Sequence, residues 1–225
     1  AASEENKITN QQYPNYVPPK SYRHACTYPD SEEWKIATER ELTSFKELEV
    51  LTGLPNGCPP GCRPVKYHFV YDLKHLSNGE IDKYKCRCVA KGFSQRPGED
   101  FDTTFAPVTQ LETIRLIFSL ALQYDLSPTQ TDVGTAFLNS DEDEFEIIIE
   151  LPEKMSFDGF KFFKLNKSLY GLKQAAYRWY ENISGFILSF DNRLSRNKSD
   201  PCIFSIWEDE LKLIILVYVD DIIIF

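Results

Sequence analysis

The sequence predicts an α+β fold in which a few amphipathic helices pack on antiparallel strands. Three observations carry that reading. Apolar residues recur at helical spacing in three separate segments, a central stretch alternates as a hairpin about an Asn-Gly turn, and the C-terminal stretch reads as short apolar strands joined by tight turns. With 42% hydrophobic and 14% aromatic residues in 225, the chain holds enough apolar material for the core of one large or two small domains. It contains no internal repeat and no low-complexity tract.

Residues 1–29 are polar, proline-dotted and without periodicity, and read as a linker or tail that cannot repay the entropy of ordering. The folded region is expected over 30–225. Asp30 and Glu33 form a capping box for a helix to about Leu48, with Trp34, Ala37, Leu42, Phe45 and Leu48 on its buried face. Val65 to Leu73 alternates as a strand, Ser77-Asn78-Gly79-Glu80 turns, and Asp82 to Phe93 alternates again. On that second strand Lys83, Lys85, Arg87 and Lys91 share one face, interrupted by Val89, while Tyr84, Cys86, Cys88 and Ala90 share the other. The basic face is either a phosphate-binding ribbon or a lysine-rich edge that discourages aggregation. Thr109 and Glu112 are expected to cap a helix through about Leu122, built on Ile114, Ile117, Phe118, Leu120 and Ala121. Strands follow around Gln130 to Val133 and, after the acidic loop Ser140 to Glu144, over Phe145 to Leu151. A third helix begins near Gln174, with Ala176, Trp179, Ile183, Phe186 and Phe190 inward, and the chain closes with strands at Cys202 to Trp207, Leu211 to Val219 and Ile222 to Phe225.

The longest apolar run, Leu213 to Val219, is far shorter than the roughly 20 residues of a spanning helix, so no membrane partner is expected. The start carries no basic region followed by an apolar one, and the only methionine is Met155, so the chain is read as cut from something longer. Six cysteines, at 26, 58, 62, 86, 88 and 202, are expected as thiols. The Cys58/Cys62 and Cys86/Cys88 spacings admit a zinc reading, but Cys86 and Cys88 share a strand face where small apolar side chains pack. A formal charge of −9 argues against nonspecific coating of nucleic acid while leaving room for local basic patches.

Tyr218-Val219-Asp220-Asp221 sets two carboxylates between apolar strands, at the place where the chain can turn back. Aspartate suits turns, which is one reading. The other is that a carboxylate at a hairpin tip meets one from a neighbouring strand, and Asp132 ends such a strand. Carboxylates brought together repel unless a hard cation such as Mg2+ lies among them, and two ions about 3.5–4 Å apart would serve nucleotidyl transfer. The three histidines form no arrangement with Ser or Cys that would support a covalent nucleophile.

Four ordered blocks, KYKCRCVAKGFSQRPGEDFDTTFAPVTQLETIR, QTDVGTAFLN, KLNKSLYGLKQAAYRWY and YVDD, resemble the copia-type reverse transcriptases of LTR retrotransposons over about residues 31–225. The resemblance implies a fingers subdomain over about 30–109 and a palm over about 110–225 with an interleaved fingers segment. It implies an RNA-directed DNA polymerase that uses two Mg2+ ions, with Mn2+ a possible substitute, acting on an RNA template, a DNA primer and deoxynucleoside triphosphates. Asp132, Asp220 and Asp221 match the catalytic, metal-binding aspartates. Phe137 matches the aromatic that excludes a ribose 2′-hydroxyl, and a core Phe at the start of a helix is a compatible reading. Lys85, Arg87 and Lys91 fall where the triphosphate is held, and Tyr170, Gly171, Lys173 and Gln174 match the loop near template and nucleotide. Cys86 and Cys88 depart from the small and aliphatic residues expected there. The family further implies a thumb, missing after the YVDD block, together with integrase and RNase H elsewhere in the same polyprotein, and DNA synthesis in cytoplasmic virus-like particles with later nuclear access. A remnant that folds and binds nucleic acid without catalysis is the competing expectation.

Overall fold

The structure is a computed structural model and describes residues 16–142, 145–150 and 159–225. In chain order its elements are α1 (Tyr22–Ala25), α2 (Ser31–Glu47), β1 (Leu51–Gly53), β2 (Val65–His75), β3 (Ile81–Ala90), α3 (Leu111–Gln123), β4 (Thr129–Asp132), β5 (Ile148–Glu150), β6 (Phe162–Leu165), α4 (Ala175–Phe190), β7 (Ser195–Arg196), β8 (Ile203–Trp207), β9 (Lys212–Tyr218) and β10 (Asp221–Ile224). The described residues within 1–94, 147–165 and 169–172 form one compact unit, and those within 95–146, 166–168 and 173–225 form a second. Gln95 donates to the Gln174 side chain and Thr109 to the Val217 carbonyl, which ties the extended segment 95–110 to the second unit. Among the described residues no helix is long and apolar enough to cross a membrane.

In the first unit the strand order is β1-β6-β5-β2-β3, with β5 parallel to β2 and every other pair antiparallel. The β2–β3 hairpin follows the expected alternation. Val65, Tyr67, Phe69 and Tyr71 are buried while Lys66, His68 and Val70 are exposed, and Gly79 takes φ +85° at the turn, a conformation that glycine reaches without steric cost. β3 stops at Ala90, short of Phe93, because the chain tightens into a 310 turn over Gly92–Ser94. Helix α2 supplies Trp34, Ala37 and Phe45 to the core. The Trp34 ring meets Tyr71 and Tyr84 edge-on at 5.3 and 4.7 Å, contacts of about 0.5–1.5 kcal/mol each beyond burial.

The structure departs from three local expectations. Asp30 stands at the N-cap of α2 but makes no capping-box bond; its carboxylate accepts from the Tyr16 hydroxyl instead, and Tyr16 accepts from the Trp34 indole at 2.8 Å. The stretch expected to stay outside the fold therefore packs onto α2 from Tyr16 onward, where Ala25 is buried and the Tyr28 hydroxyl donates to the Val17 carbonyl; residues 1–15 lie outside the described residues. Leu42 and Leu48 are only half-buried, and Glu41 turns inward in their stead.

The second unit is an antiparallel sheet ordered β4-β10-β9-β8-β7. Its centre, β9, is buried on both faces. Ile215 and Val217 join Phe204, Ile206, Ile222 and the α4 residues Trp179, Ile183 and Ile187, while Ile214 and Leu216 join Ile203, Phe225 and the α3 residues Ile117 and Ala121. Helix α4 turns Trp179 and Ile183 inward as expected, but not Phe186 and Phe190. Phe186 and Phe190 are 57% and 69% exposed and meet edge-on at 4.8 Å, because the helix starts at Ala175 and its phase turns 175, 179, 183 and 187 inward. Helix α3 begins at Leu111 with Gln110 as N-cap, and neither Thr109 nor Glu112 caps it through a side chain: the Thr109 hydroxyl is buried and donates to the Val217 carbonyl at 2.8 Å. Phe118 is 40% exposed. The strand expected over Phe145 to Leu151 shortens to β5, and Leu151 lies outside the described residues.

β3 is an edge strand, and α2 covers it. The buried Glu41 carboxylate accepts from the Cys88 N–H at 2.9 Å, and the Ala90 N–H donates to the Tyr170 carbonyl at 2.7 Å, so two outward N–H groups are withheld from another chain. Burial pushes the Glu41 pKa up, an effect only partly offset by the Cys88 N–H and by Arg87 and Lys85. A carboxyl raised in the folded state above its ordinary 4.5 gives stability that is complete below that value and lost as pH rises through the folded pKa. Denaturant unfolding across this window will show wild-type stability falling more steeply with pH than that of Glu41→Gln, which keeps an acceptor and cannot ionise. Glu41→Ala will lose about 1–3 kcal/mol, because the Cys88 N–H is left without its acceptor.

Candidate metal centre and basic strand

β10 pairs antiparallel with β4 in a register that sets Asp221 opposite Asp132. The Val133 N–H donates to the Asp220 carbonyl at 2.9 Å, a bond that flanks this pair, so the two aspartates form a non-hydrogen-bonded pair. Side chains in such pairs leave the sheet on the same face from Cα atoms only about 4.5 Å apart. Asp220 is the second residue of the two-residue turn between β9 and β10, whose flanking residues Tyr218 and Asp221 face each other. Asp132 and Asp220 are exposed and Asp221 is half-buried.

The turn is strained. Val219, its first residue, has φ +58°, a left-handed conformation in which a β-branched residue costs on the order of 1–3 kcal/mol. The Val219 carbonyl accepts from the Trp179 indole N–H at 2.6 Å, and Gln130 Nε2 donates to Asp221 Oδ1 at 3.1 Å. Sequence reasoning did not assign Trp179, Gln130 or Thr109 to this site. Trp179 carried only a core signal, and Gln130, two residues before Asp132 on one strand, could have been found from the period-2 rule once a β4–β10 pairing was posited.

The three residues fit a hard divalent cation by their chemistry. All are carboxylates with solvent access, and among the described residues none of them pairs with a Lys or Arg. The register converges three backbones rather than three carboxylate groups: among the described residues, no three His, Cys, Asp or Glu side chains come close enough to share an ion. Like charges set directly opposite one another repel, which holds such groups apart until a cation lies among them.

In the first unit, Lys85 and Arg87 lie on the outward face of β3, opposite Asp72 and Val70 of β2, and Lys91 follows just past the strand with its N–H on the Lys66 carbonyl at 2.7 Å. The Arg87 guanidinium lies 5.8 Å from the Tyr170 ring centroid. Gly171 has φ +86°, and a Cβ there would run into the Ala90 carbonyl oxygen, so only glycine lets this loop close on the end of β3. Cys86 and Cys88 are buried on the opposite face, as expected, and burial pushes the Cys86 thiol up to about 12.

In the second unit, the Lys173 side chain is exposed and its N–H donates to Gln95 Oε1 at 2.8 Å. Gln174 is turned inward. It is 2% exposed, its Nε2 donates to Glu142 Oε1 at 2.9 Å and to the Asp100 carbonyl at 3.3 Å, and its Oε1 accepts from Gln95 at 3.1 Å. Phe137 stands on the 310 turn Ala136–Asn139, half-buried against the α4 side of the core.

A model of the family described as reverse transcriptase (RNA-dependent DNA polymerase) matches residues 55–225. The chain is 37% identical, over 99% of its length, to the retrovirus-related Pol polyprotein from transposon TNT 1-94 of Nicotiana tabacum, and covers 17% of that protein. It is 34% identical over 73% of its length to the corresponding polyprotein from transposon RE1 of Arabidopsis thaliana, covering 11% of it. The Gag-Pol polyprotein of transposon Ty1-ER2 of Saccharomyces cerevisiae is 32% identical over 63% of the chain and is covered to 8%. The chain thus spans under a fifth of the length of these curated relatives.

The cross-strand carboxylates give a direct test. In EDTA, Asp221→Asn will raise stability by about 0.2–1 kcal/mol, because one of two opposed like charges is removed. Millimolar Mg2+ or Mn2+ will raise the thermal midpoint of the wild-type chain and leave that of the variant little changed.

Proposed function

Because the chain belongs to the reverse transcriptase family, in its copia-type retrotransposon branch, we propose that it forms the fingers and palm of an RNA-directed DNA polymerase. The palm is the second unit and the fingers the first. The observation that carries the reading is the opposition of Asp132 and Asp221 in one strand pair, with Asp220 in the adjoining turn. No Lys, Arg, Ser or Cys of the site is needed as a nucleophile. The nucleophile is the 3′-hydroxyl of a primer, and the protein supplies position and charge.

Asp132, Asp220 and Asp221 would hold two Mg2+ ions, or Mn2+ in their place, which would supply positive charge to activate the primer hydroxyl and to offset that of the departing pyrophosphate. The chain's own groups do the rest. Gln130 orients Asp221 through one hydrogen bond and leaves its second oxygen for other partners. Lys85, Arg87 and Lys91 attract the triphosphate of an incoming deoxynucleotide, and the Tyr170 ring beside Arg87 limits the guanidinium to fewer orientations. Phe137 stands against the ribose side of that nucleotide and rejects a 2′-hydroxyl by its bulk. Gln174 acts from inside, tying Gln95, Asp100 and Glu142 to the start of α4. The template is RNA, and the other activities of a polyprotein, integrase and RNase H, act as partners of this segment.

Extension of a DNA primer on an RNA template tests the proposal. The 225-residue chain is expected to extend the primer with Mg2+ or Mn2+, and Asp220→Asn to abolish extension; extension left intact in that variant would refute the assignment. Phe137→Val is expected to raise ribonucleotide incorporation relative to deoxynucleotide by roughly tenfold or more, measured as the ratio of kcat/KM values.

A further inference from the structure

The turn that carries Asp220 is fixed by two carbonyl contacts of different kinds. The Asp220 carbonyl is held by the Val133 backbone N–H, a donor that almost any residue at that position would supply. The Val219 carbonyl is held by a side chain, the indole N–H of Trp179 at 2.6 Å. A two-residue hairpin turn needs a positive φ at its first position to match the twist of its strands, which glycine or asparagine adopts readily. This chain has valine there, at φ +58°. Packing does not force valine into that conformation, since a cavity of about 430 Å3 lies against Val219 and Trp179, lined also by Phe105, Val108, Tyr180 and Val217.

We infer that Trp179 is a positioning residue for Asp220, its indole N–H holding the valine turn in the left-handed conformation that sets the Asp220 backbone beside the Asp132–Asp221 pair. Trp179 is 4% exposed and packed with Ile183, Val217 and Ile222, so the donor sits on a rigid element beneath the turn. Without it the turn can relax into the adjoining cavity, and Asp220 is displaced while the sheet register that sets Asp132 against Asp221 persists. The inference rests on the reading of these aspartates as holding divalent ions.

The test is Mn2+ binding to the 225-residue chain, followed by electron paramagnetic resonance. Trp179→Phe is expected to weaken binding by roughly three- to tenfold, the equivalent of one hydrogen bond. Adding Val219→Gly to that variant is expected to restore binding, because glycine takes the left-handed conformation without help. Replacing Trp179 by benzothienylalanine, which keeps the ring shape and lacks the N–H, gives the same reading should the Phe variant fold poorly. Unaltered binding in the Phe and benzothienyl proteins, or weakened binding that Val219→Gly does not restore, would overturn the inference and leave Trp179 as core. Asp220→Asn in the wild-type background separates the two claims: Mn2+ binding insensitive to it removes the metal reading itself, whereas binding lost there but unchanged on Trp179 substitution removes only the role given to Trp179.

Discussion

Asp132 and Asp221 occupy directly opposed positions of one antiparallel pair, and like charges so placed push the strands apart. What keeps them together is the sheet behind them. β10 lies between β4 and β9, and β9 is buried on both faces, against α4 on one side and α3 on the other. The apolar run Leu213 to Val217 looks excessive for a strand with one wet face, and it is what lets the neighbouring strands carry exposed carboxylates and a left-handed valine. Thr109 and Trp179 reach into the same region from flanking segments and bond the carbonyls of Val217 and Val219, so the last residues of β9 cannot fray away from the turn.

The first unit meets a different constraint with the same economy. Its basic strand is an edge, and a basic edge open to solvent would bind phosphate loosely and could pair with other chains. Glu41 closes one outward N–H and the Tyr170 carbonyl another. A buried carboxylate is an expensive way to do this, since desolvation raises its pKa, yet it places a negative charge near Arg87 and Lys85 without occupying their outward face. Gly171 belongs to the same device, because any side chain there would separate the 169–172 loop from Ala90.

Much of this was legible in the residues. Local signals located α2, the β2–β3 hairpin, α4 and the closing strands, because each rests on periodicity or on an Asn-Gly turn. The ordered motifs singled out Asp132, Asp220 and Asp221, and the residues alone left a hairpin-tip carboxylate meeting Asp132 as one of two readings; the register sets Asp221 opposite Asp132. What escaped were interactions whose partners are far apart in the chain. Asp30 fits a capping box by spacing, but Tyr16 competes for its carboxylate. Phe186 and Phe190 fit an apolar face by composition, yet the helix starts at Ala175 and its phase turns Ile187 inward. Gln174 sits in a motif expected to face substrate, while its amide is satisfied by Gln95, Asp100 and Glu142, none of which periodicity could link to it.

Asp132, Asp220 and Asp221 are proposed to act as one cation site, and the most direct measurement is of their carboxylate carbons. With 13C-labelled aspartate in the 225-residue chain, substoichiometric Mn2+ is predicted to broaden these three resonances together and ahead of every other aspartate. Broadening spread evenly over the acidic surface, or centred on another group such as Asp141 or Asp209, would contradict it.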